Sequence, residues 1–325
     1  MIEFPGDDAI ARAADLLRAG ALVALPTETV YGLGADAANP DAVRQIYAAK
    51  GRPADHPLIV HLAEADQLVD WASEIPREAI ALARAFWPGP LTMILKKDPD
   101  VNDLVSGGQN TLGLRVPDHP VALALLRAFG GGIAAPSANR FGRISPTTAR
   151  HVEDELGDAV AMILDGGACD VGIESTILDL SRNEPVILRP GMIGRDAIAA
   201  VIGRPVRLKD ETGSAPRVSG ALAAHYAPST PMRMASRTEI ETATADCAVL
   251  SHAGESLPGR YAMAIDAPFD AAGYAHELYA NLRALDTSGA RLILVETLPD
   301  SADWDAVHDR LGRAVTGSGA DGGNA

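Results

Sequence analysis

Residues 21–34 read ALVALPTETVYGLG: an apolar run, Ala21 to Leu25, that breaks into a loop holding two threonines, a glutamate and a tyrosine, and ends on spaced glycines. A short apolar run bounded by turn residues predicts a buried strand. A polar loop at a strand end, with glycines where backbone can approach a ligand, is how α/β proteins build clefts.

The flanking chain agrees. DDAIARAADLLRAG predicts an amphipathic helix stopped by Gly20, and NPDAVRQIYAAKG one capped by Asn39, opened by Pro40 and stopped by Gly51. LIVHL (58–62), LTMILKK (91–97), TLGLRVP (111–117), GIAAPSAN, AVAMILDGG, ESTILDL and PVILRPG are strand candidates. Helical patterns fall at 64–72, at 77–86, in HPVALALLRAFGG and in SPTTARHVEDELG, with Ser145 as expected cap. Several strands follow one another directly, so the expected sheet is mixed. This pattern extends to residue 203. Residues 204–231 lack periodicity and read as a linker of a length that is often functional. A small α/β domain follows over 232–316, and TGSGADGGNA predicts a disordered tail over 317–325.

The 325 residues carry a net charge of −15, and residues 231–325 hold 7 basic against 14 acidic side chains, so neither part offers a broad basic face for nucleic acid. Two cysteines, Cys169 and Cys247, argue against a disulfide framework or a four-cysteine zinc site. The acidic start and the lack of a long apolar segment lead to the expectation of a soluble cytoplasmic protein with no membrane partner. Phosphate-loop, dinucleotide-loop, serine-elbow and zinc-helix motifs are missing from the sequence.

Chemistry-bearing residues cluster in two places. AAKGRPADHPLIVH sets Lys50, Arg52, His56 and His61 close together, and Lys50 is one of only four lysines against 24 arginines. A lysine ammonium is a point charge suited to a phosphate, although a cation at a helix C-terminus is the plain alternative. APSANRFGRISPTT places Ser137, Asn139, Arg140 and Arg143 before a helix start at 145–147, which can hold an anion or merely be capped. Arg115, Glu174, Ser175, Thr176 and Arg189 stand at further strand ends, and Trp87-Pro-Gly-Pro90 reads as a rigid turn.

Taken in order, PTETVYGLG, Lys50-Gly-Arg52, HPLIVH, WPGPLT, LRVPDHP, Ser137-Ala-Asn139, ESTI, LRPG and SGALAAHYAP resemble the threonylcarbamoyl-adenylate synthase family, the YrdC-like enzymes, in their longer form. The resemblance covers roughly residues 10–230. It implies a YrdC-like mixed twisted sheet with helices around a ligand cleft, plus a small Rossmann-like C-terminal α/β domain. The activity it implies is that of a nucleotidyltransferase: L-threonine, bicarbonate or CO2, and ATP with Mg2+ give threonylcarbamoyl-AMP and pyrophosphate. The product serves tRNA threonylcarbamoyladenosine formation by a separate transferase, so no tight tRNA binding is expected. Such chemistry needs positioned charge and no protein nucleophile.

Carried over by motif, Lys50 and Arg52 act on the phosphates as catalytic groups. Lys50, Arg52, His56, Thr111, Asn139, Thr147, Arg189 and His225 line the nucleotide site, His56 standing where the family often has Asn. Thr29, His61, Arg115, Ser137 and Ser175 hold threonine, with Tyr31 nearby and the Arg115 fork on the carboxylate. No protein metal ligand is expected. Ser219, Gly220, His225 and Tyr226 resemble the family's cleft-crossing segment, read as a lid or a tether. One methyl group distinguishes threonine from serine, about 1–3 kcal/mol in a hydrophobic pocket. Two other readings stand beside this one: a non-catalytic RNA-binding module using the same cleft, and a covalent transferase using Ser137 or Cys169.

Overall fold

The computed structural model describes residues 1–211, 215–252 and 259–319. Residues 212–214 of the linker and 320–325 of the tail lie outside the described residues. The chain divides into a first unit (1–141, 146–170 and 174–221) and a second unit (142–145, 171–173 and 222–325).

The first unit is built on a twelve-stranded sheet. From one edge the strands are Ile2–Glu3, Met162–Leu164, Val23–Leu25, Gly32–Asp36, Ile133–Ala134, Ile59–His61, Thr111–Arg115, Leu91–Lys97, Thr176–Asp179, Val186–Arg189 and Arg207–Leu208, with Ala72–Glu74 also paired to Leu91–Lys97. The sheet is mixed: Leu91–Lys97 runs parallel to Thr176–Asp179 and antiparallel to Thr111–Arg115. Small aliphatic side chains fill the core, among them Ala13, Leu17, Val23 and Leu164 in one cluster, and Leu33, Val43, Val60 and Leu114 in another.

Gly32–Asp36, expected to be loop, is a strand antiparallel to Val23–Leu25. Glycine disfavours strands, which hides this one from pattern reading. A side chain at Gly34 would place its Cβ 2.9 Å from the Val23 carbonyl and from Leu25. This glycine therefore serves strand packing, not the approach of a ligand.

Asn39 caps its helix as expected, its side-chain oxygen accepting from the amides of Asp41 (3.0 Å) and Ala42 (3.3 Å). Gly51 ends that helix with φ +62°, and the Arg52 amide then donates to the Tyr47 carbonyl at 3.0 Å. Lys50 and Arg52 thus leave the helix end together, both buried. The later helix begins at Ala149 with Thr148 as cap, not Ser145. The backbone ahead of it is already engaged: the Pro146 carbonyl accepts from Tyr31 N–H and the Thr147 carbonyl from Cys169 N–H.

The second unit has a four-stranded sheet in the order Met232–Ala235, Leu292–Glu296, Cys247–Ser251, Met263–Asp266, parallel throughout, as a Rossmann-like reading requires. Helices Ala271–Asp286 and Asp305–Ser318 pack with it, the second extending two residues into the expected tail. The strand Met232–Ala235, at the start of the expected C-terminal domain, is not among the sequence's strand candidates. Among the described residues no helix is long and apolar enough to cross a membrane.

Candidate active site

Strand register lines up polar groups across the first unit's sheet. His61 pairs with Arg115, and Met93 opposite Leu114 sets Thr92 beside Arg115. Thr92 pairs with Ile177, which pairs with Arg189. Thr92 and Ser175 share a 2.8 Å hydroxyl hydrogen bond, and Arg189 donates to the Ser175 carbonyl (2.9 and 3.1 Å) and hydroxyl (3.2 Å).

Arg115 is buried and held on three sides. Its Nε donates to the Gly89 carbonyl at 3.2 Å, so the Trp87-Pro-Gly-Pro90 turn supports the site as well as the sheet edge. Nη1 donates to Thr29 Oγ1 at 2.9 Å, and Nη2 lies 2.6 Å from Glu28 Oε1. The loop is pinned by Thr27, whose hydroxyl donates to the Val30 carbonyl at 2.6 Å and accepts from the amides of Thr29 and Val30 at 3.2 Å. That spends the Thr27 proton, so in the 2.9 Å contact of the two threonines the Thr29 hydroxyl is the donor. Tyr31 instead holds the turn after Leu164, donating to the Gly167 carbonyl at 2.7 Å. Burial, then the Arg115 charge, lower the His61 pKa to about 3, so its imidazole is neutral beside that guanidinium.

The second cluster gathers around Lys50. Its Nζ donates to the carbonyls of Ser137 and Asn139, and its own carbonyl accepts from Phe141 N–H at 2.8 Å. Burial first, then the charge of Arg52, push the ammonium well below its ordinary pKa. Arg52 donates to the Pro57 carbonyl at 2.7 Å and lies 5.9 Å from the Phe141 ring centroid. His56 meets the same ring edge-on at 5.3 Å, and burial, then Arg52, lower its pKa.

Ser219 joins the two clusters: its hydroxyl lies 3.5 Å from Arg52 Nη1 and its carbonyl accepts from Arg189 Nη1 at 3.1 Å. Val218 beside it packs with Ile59, Ile94, Ile177, Val186 and Leu188. Thr111, Gly113, Pro57 and Gln109, with Arg217 and Ser219, border a small pocket at this face.

The structure therefore brings together Thr29, His61, Arg115 and Ser175, and, through Ser219 and Phe141, Lys50, Arg52, His56, Ser137, Asn139, Thr111 and Arg189. Thr147 stands apart in its contacts, with its hydroxyl 3.4 Å from His151 Nδ1. His225 belongs to the second unit, where its amide donates to the Arg313 carbonyl and its ring packs on Tyr226. Sequence reading assigned no part to Thr92, Phe141 or the carbonyls of Pro57 and Gly89. Thr92 alone left a signal, a polar side chain inside the apolar strand LTMIL. Cys169 is buried and burial raises its thiol pKa, which disfavours the thiolate that a nucleophile needs. Among the described residues no three His, Cys, Asp or Glu form a metal cage.

Two family models match the chain: the Sua5/YciO/YrdC model, described as telomere recombination, over residues 15–191, and the threonylcarbamoyl-AMP synthase C-terminal domain over 193–316. The threonylcarbamoyl-AMP synthase of Bacillus subtilis is 41% identical over 333 residues, covering 96% of this chain and 94% of its own. That of Pyrococcus abyssi is 40% identical over 323 residues, covering 93% and 92%. The crystal structure of P. abyssi Sua5 complexed with L-threonine superposes with a TM-score of 0.89 at 37% identity, covering 98% of this chain and 97% of that one. E. coli YciO matches over 59% of this chain and 96% of its own, with a TM-score of 0.52 at 26% identity.

Proposed function

The chain belongs to the threonylcarbamoyl-AMP synthase family, and from that premise we propose that it joins L-threonine, CO2 or bicarbonate, and ATP into threonylcarbamoyl-AMP and pyrophosphate. The product is passed to a separate transferase that modifies tRNA, and the chain works in the cytoplasm without holding tRNA tightly. One observation carries the reading: in a protein of net charge −15, four buried cations gather along one face, Arg189 and Arg52 meeting at Ser219, Arg115 set beside the Thr92 that bonds the Ser175 held by Arg189, and Phe141 touching both Arg52 and Lys50.

Arg115 grips the threonine carboxylate as a fork, with Thr29, Ser137 and Ser175 as hydrogen-bond partners of the amino acid. Neutral His61 adds no second positive charge beside Arg115. Lys50 and Arg52 face the phosphates. Thr111, Asn139, Thr147, Arg189 and His56 complete the nucleotide site. Mg2+ enters as part of the substrate, on the phosphate oxygens of ATP. The neutral amine captures CO2, the carbamate oxygen attacks the α-phosphorus, and pyrophosphate leaves against the two cations. Purified protein supplied with ATP, labelled bicarbonate and each amino acid in turn should place label in an AMP adduct with threonine. Label that ignores threonine, or RNA binding with a steep salt dependence and no adduct, would end this reading.

Residues 204–231, taken as a linker from the sequence, include the Val218–Ser219 stretch seated on this face, and we read that stretch as a cover that keeps water from the carbamate. Val218→Asp places a charge among Ile59, Ile94 and Ile177 and should unseat it. The expected result is severalfold more ATP split per adduct formed. Unchanged coupling would make the segment only a tether.

A further inference from the structure

The reaction above leaves Glu28 without work. Its carboxylate is buried (5% exposed), and neither oxygen accepts a hydrogen bond from any described residue. The 2.6 Å approach of Arg115 Nη2 to Oε1 lies off the N–H direction, so it is an ion pair only. A carboxylate offers about four acceptor sites, and a buried one without donors is costly. The Thr27 hydroxyl bonds fix the loop, so Glu28 is held in place.

The guanidinium that faces Glu28 is the one assigned to the amino acid's carboxylate. An α-amino acid carries its ammonium one carbon from that carboxylate. A ligand seated on Arg115 therefore brings its ammonium to the acid beside it. The chemistry needs this amine neutral. We propose that Glu28 is a further catalytic residue, which receives the ammonium of threonine and removes one proton so that the amine can attack CO2.

The step balances. An N–H bond breaks, its electron pair stays on nitrogen, and the proton goes to a Glu28 oxygen. The nitrogen pair then forms the bond to the carbon of CO2, one C=O pair moves to oxygen, and the second nitrogen proton leaves to water. Neighbouring groups are poor rivals for the first proton. His61 is held neutral with little basicity, and His119 Nδ1 is spent accepting from the Val121 amide at 3.2 Å. The Cys169 thiol is raised by burial and by the Glu28 charge.

This inference rests on the proposed function, so the test separates the two. Adduct formation by the full chain is followed against pH at saturating threonine, for the wild type, Glu28→Gln and Glu28→Asp. General-base loss costs about 100-fold to 10,000-fold. Glu28→Gln should lose at least about 100-fold near neutral pH and regain about tenfold per pH unit until the free amine is deprotonated in solution, while Glu28→Asp keeps the wild-type profile at a lower rate. A Glu28→Gln variant that is slow with the wild-type pH profile, or as fast as wild type, overturns the proposal. If Glu28→Gln does not fold, calorimetry on the wild type decides. Threonine should bind at least tenfold tighter than 2,3-dihydroxybutanoate, which replaces the amine by a hydroxyl, and equal binding overturns the proposal. Absence of adduct from the wild type would instead overturn the function.

Discussion

Lys50→Met lowers the rate of adduct formation at least about 100-fold, the size of loss expected when one group stabilising developing charge is removed. Threonine affinity stays near wild type, because the contacts of Arg115 do not involve Lys50. Two of the three Lys50 donors are given to the carbonyls of Ser137 and Asn139, which aims the ammonium from a fixed point. Lys50→Arg should fare little better, since a planar fork cannot occupy a buried seat shaped for a point charge. Burial and Arg52 hold the Lys50 pKa far down, so the ammonium is costly until an anion arrives. A triphosphate favours the charged form and raises that pKa. Nucleotide binding therefore takes up protons, and affinity falls as pH rises through the pKa of the free protein. Calorimetry in buffers of different ionisation enthalpy reads this uptake. A Lys50→Met variant with normal turnover, and folded by its melting curve, would remove the lysine from the chemistry.

Arg115→Met abolishes threonine binding and also destabilises the fold. Removing one partner of a buried ion pair costs about 3–5 kcal/mol, because the other charge is left alone, here Glu28. The double variant Arg115→Met with Glu28→Gln removes both charges and should recover most of that stability, as apolar replacements of buried pairs often do. It should not recover threonine binding. Chemical denaturation and calorimetry on the same samples separate the two losses. Threonine binding by the double variant within a few-fold of wild type would show that Arg115 is a structural ion and nothing more.

Much of this is legible in the sequence. Asn39, Pro40 and Gly51 mark helix ends with side-chain chemistry that the structure reproduces, and the excess of arginine made Lys50 conspicuous. Ordered motifs identified the family that the comparisons show. Other features stayed hidden for physical reasons. Four site contacts are made by the carbonyls of Pro57, Gly89, Ser137 and Asn139, and a carbonyl carries no residue identity. The strand Gly32–Asp36 has glycines where strands rarely have them. Thr148 displaced Ser145 as cap because long-range bonds to the Pro146 and Thr147 carbonyls outweigh a local preference. The pairing of Glu28 with Arg115, residues 87 positions apart, has no trace in local pattern.

His61, Arg115, Thr92 and Arg189 come from separate strands whose cross-sheet partners keep them in phase. A strand side chain reverses its face with every residue. Inserting or deleting a single amino acid inside any of these strands would therefore turn its contribution out of the cleft, whatever the identity of the residue. Drift in chain length among relatives should be confined to the connecting loops, and an engineered one-residue deletion inside Leu91–Lys97 should be more damaging than a two-residue one.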